Sequence, residues 1–127
     1  MNRLLLIDDD EINNFTIEAM LTRIDFVDQF VIKDGGIPAL SYLQEAHKSG
    51  EFPNSIFVDI NMPEMDGFEF LENFESSFFE AHPDTQVFML SSSDSDKDKQ
   101  RAMGFTCVRE YITKPLSKKK LSYILGE

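Results

Sequence analysis

One cysteine, no tryptophan and no surplus of positive charge narrow this chain before any motif is read. Cys107 stands alone, so no disulfide can form within the chain, and nothing hints at an oxidising compartment. With no catalytic partner in view, it reads as a small, partly buried apolar side chain rather than a nucleophile. Lys and Arg number 12 against 23 Asp and Glu, a formal net charge of −11. A nucleic-acid footprint or an anionic membrane surface calls for the opposite sign. No apolar run approaches the roughly 18 residues of a spanning helix, and Leu4–Ile7 is too short for a signal peptide. The expectation is a soluble, cytoplasmic protein with no direct nucleic-acid partner and no membrane partner.

What is present is apolar sequence in short, punctuated pieces. The chain has 127 residues, 42% hydrophobic and with 12 Phe, enough for one domain with a real core. Leu4-Leu5-Leu6-Ile7 stops at Asp8-Asp9-Asp10-Glu11, the pattern of a strand buried on both faces. Ile12, Phe15, Ala19 and Met20 then fall at helical spacing, predicting a helix from Glu11 to about Arg23. Phe26 to Ile32 is a second β-rich stretch, broken by Asp34-Gly35-Gly36. A second helix follows over 37–48, with Ile37, Leu40, Leu43 and His47 along one face. Ser55–Asp59 is the third strand, and Pro63 and Gly67 force a turn before a third helix marked by Phe68, Leu71, Phe74 and Phe78. Residues 76–79 either continue that helix or leave it. Gln86–Leu90 is the fourth strand. A polar fourth helix starts at Ser95 or Asp96 as N-cap and runs to Gly104. Glu110–Thr113 is the fifth strand, ended by Lys114-Pro115, and a last helix spans 117–125.

Strands alternating with helices five times predict an α/β fold, a doubly wound five-stranded parallel sheet with helices on both faces. Ligands of such sheets bind outside the carboxyl ends of the strands. Those ends carry Asp8-Asp9, Asp59, Ser91-Ser92 and Lys114-Pro115. Each has an ordinary explanation alone: helix-capping acid, a turn aspartate, a turn hydroxyl, a strand-exit dipeptide. Together they bring three carboxylates, hydroxyls and an ammonium to one rim. Crowded carboxylates raise each other's pKa, and a hard cation such as Mg²⁺ relieves them. A hydroxyl and Lys114 opposite the metal would cradle a phosphoryl group. Asp59 is then the candidate nucleophile, forming an acyl phosphate.

With these residues in place the sequence resembles a receiver domain of the two-component response-regulator family, along essentially its whole length. The resemblance rests on Asp8-Asp9 after Leu5-Leu6-Ile7, on Asp59-Ile-Asn-Met-Pro-Glu-Met-Asp-Gly67, on the hydroxyl after the fourth strand, and on Tyr111-Ile-Thr-Lys114-Pro115. It implies a (βα)5 flavodoxin-like, CheY-like fold and a single receiver domain over 1–127 with no output domain. It makes Asp59 the phosphoacceptor, with Ser91 and Lys114 on the phosphoryl group. Mg²⁺ would be held by Asp8, Asp9, Asp59 and the backbone carbonyl of Asn61. Tyr111 would be the switch aromatic acting with Ser91, and Asn61 and Ser93 would tune hydrolysis. The acidic pair is taken as Asp8 and Asp9 because the strand ends at Ile7, with Asp9 and Asp10 as the alternative; Asp10 reads as a helix-start residue. The bond before Pro115 is cis in the family.

The resemblance further implies phosphorelay chemistry rather than turnover. A sensor histidine kinase or histidine phosphotransfer protein donates, and the domain self-phosphorylates with Mg²⁺ from phosphodonors and autodephosphorylates. A downstream protein reads the surface of helix four, strand five and helix five. The spacing from Gly104 to Tyr111 is longer than the family's usual one, which alters that surface. The competing reading is a phosphorylation-independent receiver-like interaction module; the complete residue set argues against it. A phosphatase on a related sheet would want a second aspartate where Asn61 stands. Asp94-Ser-Asp96-Lys-Asp98 lacks the glycine and closing glutamate of a calcium loop, and Asn14-Phe15-Thr16 fits a glycosylation pattern but falls in a helix. His47 and His82, far apart with no metal-ligand spacing, read as structural or exposed, and the Phe-rich third helix as core.

Overall fold

The computed structural model describes residues 2–25 and 27–125. In chain order the elements are β1 (Arg3–Ile7), α1 (Glu11–Leu21), β2 (Gln29–Lys33), α2 (Gly36–Ser49), β3 (Ser55–Asp59), α3 (Gly67–Phe74), β4 (Gln86–Ser91), α4 (Asp96–Met103), β5 (Val108–Thr113) and α5 (Lys118–Ile124). The strands form one parallel sheet in the order β2-β1-β3-β4-β5. The chain winds outwards from β1 to β2, then returns past β1 to β3. That reversal puts a crevice beyond the carboxyl ends of β1 and β3.

The two-residue alternation of the strands divides the core into two layers. Leu5, Ile7, Ile56, Val58, Val87 and Met89 pack with Ala39, Leu43 and Ala46 of α2 and Phe70, Leu71 and Phe74 of α3. Leu4, Leu6, Phe57, Phe88, Leu90 and Ile112 pack with Ile17 and Leu21 of α1 and Leu121 of α5. The Phe57 and Phe88 rings stack across β3 and β4 at 4.9 Å. Burying each such side chain contributes about 1.5–3 kcal/mol, so both faces of the sheet stabilise the strand ends that carry the polar residues.

Several expected boundaries move for identifiable reasons. The expected apolar face of α1 is largely wrong in phase: Ile12 is 81% and Phe15 72% exposed and Ala19 is exposed, Met20 alone of the four packs against the core, and the buried residues are Ile17 and Leu21. The inner face of the first turn is polar because it meets Asp8, so apolar spacing is a misleading guide there. In α2 the buried residues are Gly36, Ala39, Leu43 and Ala46, while Ile37 and His47 are exposed. The second strand spans Gln29–Lys33, and Phe26 lies outside the described residues. Glu75–Phe79 continues α3 as a π-turn. β5 starts at Val108, earlier than expected, because it carries a bulge: Val87 pairs with Val108 and Phe88 with Glu110, leaving Arg109 as the extra residue. The longer stretch before Tyr111 is thus partly absorbed within the sheet. Ser95 is the N-cap of α4, accepting from the Asp98 N–H. The two histidines, separate in the sequence reading, meet at the surface, with His47 Nδ1 2.8 Å from His82 Nε2.

Candidate functional site

Each site residue stands where a strand stops. Asp8 follows β1, its backbone N–H donating to the Lys33 carbonyl at 3.0 Å, so the β1–β2 ladder fixes it. Its side chain is fully buried. A buried carboxylate survives only if its oxygens are satisfied, and they are. One oxygen accepts from the Asp10 N–H at 3.0 Å; the other accepts from Asn13 Nδ2 and from Lys114 Nζ, both at 2.8 Å. Asn14 Nδ2 donates to the Asp8 carbonyl at 2.8 Å. Asp10, meanwhile, caps α1 by accepting from the Ile12 and Asn13 N–H groups. Within the acidic run, Asp10 thus starts the helix, while Asp8 and Asp9 each bring a carboxylate oxygen close to Asp59.

Asp59 closes β3 and is nearly buried. The chain beyond it is held against the sheet: the Ile60 N–H donates to the Leu90 carbonyl at 3.1 Å, and the Gly67 N–H to the Ile60 carbonyl at 2.7 Å. A Cβ at position 67 would lie 2.5 Å from the Asp59 carbonyl oxygen, so only glycine lets α3 start this close to the strand. Asp66 and Glu69 form a capping box at that start. One oxygen from each of Asp8, Asp9 and Asp59 lies within 4.8 Å of the others. Lys114 reaches in from the end of β5, 3.3 Å from Asp59 as well as bonded to Asp8. The Lys114–Pro115 peptide is cis.

One ammonium against three carboxylates leaves the rim short of positive charge. Burial, then the Asp8 charge, push the Asp59 carboxyl up to about 6, with Lys114 opposing them. Burial works against the Lys114 ammonium, but the bond to Asp8 and the charges of Asp59 and Asp8 outweigh it and raise its pKa. Opposite oxygens around a magnesium ion stand about 4.2 Å apart. The acidic cluster therefore fits a small hard divalent cation, some carboxylates binding directly and others through water.

A second group lies across the crevice. Ser91 ends β4, fully buried, and its hydroxyl oxygen accepts from the Ser93 N–H at 2.9 Å. Its own proton remains available for donation. The half-buried Tyr111 donates its hydroxyl to the Ser93 carbonyl at 2.8 Å. The Ser93 hydroxyl accepts from the Ser95 N–H at 3.2 Å, linking the strand end to the cap of α4. Asn61 sits exposed in the loop after Ile60. Asp8, Asp9, Asp59 and Lys114 thus come together directly, and Ser91, Ser93 and Tyr111 form one hydrogen-bonded chain. Asn13 and Asn14 are the residues sequence reasoning missed; their signal is a pair of amides one turn into the helix after a strand-end aspartate. Cys107 is buried, and burial followed by the Glu75 carboxylate pushes its thiol pKa up, away from thiolate chemistry.

Fold and crevice define an α/β protein with an acidic site at the carboxyl ends of its strands, and comparison with known proteins gives the family. The chain belongs to the response regulator receiver domain family, whose model matches residues 4–125. It is 36% identical over 121 residues to protein PilG of Pseudomonas aeruginosa, covering 94% of this chain and 81% of that one. It is 30% identical to the probable methanogenesis regulatory protein FilR2 of Methanothrix harundinacea, covering 98% and 79%. A two-component response regulator from Cytophaga hutchinsonii superimposes with a TM-score of 0.90 at 31% identity, covering 98% and 93%. The chain is therefore a receiver domain of the two-component type, a class that works with histidine-kinase partners. Among the described residues no helix is long and apolar enough to cross a membrane.

Proposed function

We propose that the domain is a reversible phosphoacceptor switch in which Asp59 takes a phosphoryl group from the phosphohistidine of a sensor kinase or histidine phosphotransfer protein. The observation that carries this reading is Lys114 bridging two of three converging carboxylates, 2.8 Å from Asp8 and 3.3 Å from Asp59. An Asp59 oxygen attacks phosphorus, the P–N bond to imidazole breaks, and the imidazole leaves with a proton from solvent. Asp8, Asp9, Asp59 and the Asn61 backbone carbonyl would hold Mg²⁺, which when bound supplies the charge neutralisation that lets phosphate approach an acidic rim. Lys114 moves from carboxylate to phosphoryl oxygen, and the free Ser91 proton supplies a further hydrogen bond.

Ser91 cannot turn its hydroxyl towards the phosphoryl group without weakening the bond it accepts from Ser93. The Ser93 segment is also where the Tyr111 hydroxyl is anchored, so the aromatic ring is released. That alters the surface of α4, β5 and α5, which a downstream protein reads. Asn61 and Ser93, at the two positions that tune hydrolysis in the family, set the lifetime of the aspartyl phosphate. Exposed Ile12 shares a shallow depression with Lys114 and Pro115, and so offers the donor an apolar foothold beside the reacting carboxylate.

The test is intact-mass measurement after incubation with Mg²⁺ and acetyl phosphate. One phosphoryl adduct is expected in the wild type and none in Asp59→Asn. No uptake from donor excess or from histidine kinases would replace this reading with a phosphorylation-independent interaction module.

A further inference from the structure

At the amino ends of the strands, opposite the end that carries Asp59, two imidazoles converge from separate elements. His47 lies in the last turn of α2; His82 lies in the turn before β4. Their ring nitrogens face each other at 2.8 Å, the rings nearly perpendicular with centroids 5.0 Å apart. Neither ring is placed by chance. His82 stacks flat on the buried Phe52, centroids 3.6 Å apart. Its backbone N–H donates to the Phe78 carbonyl at 3.0 Å and its carbonyl accepts from the Thr85 N–H at 3.2 Å. Thr85 in turn is tied by its hydroxyl to the Pro53 carbonyl at 2.9 Å. His47 rides on a helix whose neighbouring Ala46 is in the core.

The geometry points to a transition-metal site at His47 and His82, taking a nitrogen-seeking divalent cation such as Zn²⁺ and independent of the acidic rim. Three considerations carry it. A nitrogen-to-nitrogen hydrogen bond has one proton between two rings, so one lone pair at least is held unprotonated and aimed at the shared point. Zinc binds neutral imidazole at about 2.0–2.1 Å, which sets two tetrahedral ligands about 3.3 Å apart. The present contact must open by roughly half an ångström, the rings tilt towards the ion and the shared proton pass to the outer nitrogen of the ring that carries it, and the exposed His47 ring is free to move in this way. Finally, the pair is exposed on the His47 side, so water can complete the coordination. The hard oxygen ligands of the rim and the nitrogen ligands here select different cations. Bound metal would clip the end of α2 to the turn before β4.

The test uses the full chain with saturating Mg²⁺, titrated with Zn²⁺ at pH 7.5 and followed by the ring nitrogen resonances of the histidines. Both rings are expected to shift together and saturate at one equivalent, with the thermal midpoint rising alongside. His47→Ala, at an exposed position, should fold normally and weaken Zn²⁺ binding at least tenfold, as should His47→Gln. Zinc affinity unchanged in His47→Ala would assign the ion to the carboxylates and overturn the site, as would imidazole resonances that do not move.

Discussion

Replacing Asp59 with asparagine should make the metal-free protein more stable, and only in a defined pH range. The carboxyl is raised from an ordinary value of about 3.9 to about 6, chiefly by burial and by Asp8. A tenfold change in acidity is worth about 1.4 kcal/mol, so the folded state holds ionised Asp59 at a cost of up to about 3 kcal/mol. The sign follows from where each state takes up its proton. Above about pH 6.5 both folded and unfolded chains carry Asp59 ionised, and the fold bears the full cost. Between about 6 and 4 the folded chain binds a proton that the unfolded chain does not, so this group's contribution to stability rises as pH falls. Acid denaturation by ordinary carboxylates runs the other way. Asp59→Asn keeps an acceptor for Lys114 and removes the charge. Thermal unfolding in chelator should therefore place the variant above wild type at pH 7.5, on the order of 10 °C if the full cost is recovered. The gap should shrink towards zero near pH 4. A variant equal to or less stable than wild type at pH 7.5, or a gap that ignores pH, would refute the account of Asp59 as a carboxylate held ionised against burial and the Asp8 charge.

Two further outcomes probe the scaffold. Gly67→Ala should lower stability by about 2–4 kcal/mol in urea unfolding, because its Cβ meets the Asp59 carbonyl and the Ile60 Cα, which are backbone atoms that cannot swing away. Lys114→Met should cost about 3 kcal/mol at neutral pH, since it strips the ammonium from the fully buried Asp8 and leaves Asn13 as its only side-chain donor among the described residues; a change under about 0.5 kcal/mol would show that Asp8 does not need its ion pair.

How much of this was legible in the sequence depended on which force set each feature. Leu4–Ile7 and Ser55–Asp59 are buried on both faces, and an unbroken apolar run followed by a carboxylate announces both the strand and its functional end. Family membership and the sheet were therefore readable. The phase of α1 was not, because Asn13 and Asn14 serve Asp8 where a periodicity rule expects core residues, while Ile12 and Phe15 point outward. Local pattern could not give the bulge at Arg109, which is a matter of pairing register with β4. Nor could it join His47 to His82 across 35 residues, since that contact is made by tertiary packing on Phe52.

The glycine contact at the start of α3 has a consequence for the direction in which the domain can signal. With the Gly67 N–H bonded to the Ile60 carbonyl and no room for a side chain between them, the β3–α3 side behaves as an anvil. Under the proposed function, Asp59 would gain or lose a phosphoryl group there without its backbone yielding. The opposite wall is built differently: serine side chains tie the segment from Ser91 to Ser95 to its own backbone, and α4 anchors itself in the core through Ala102 alone. Segments with little buried apolar surface open at the lowest cost. On that proposal, chemistry struck on the rigid wall would be delivered to the compliant one, towards α4 and Tyr111 rather than back along α3.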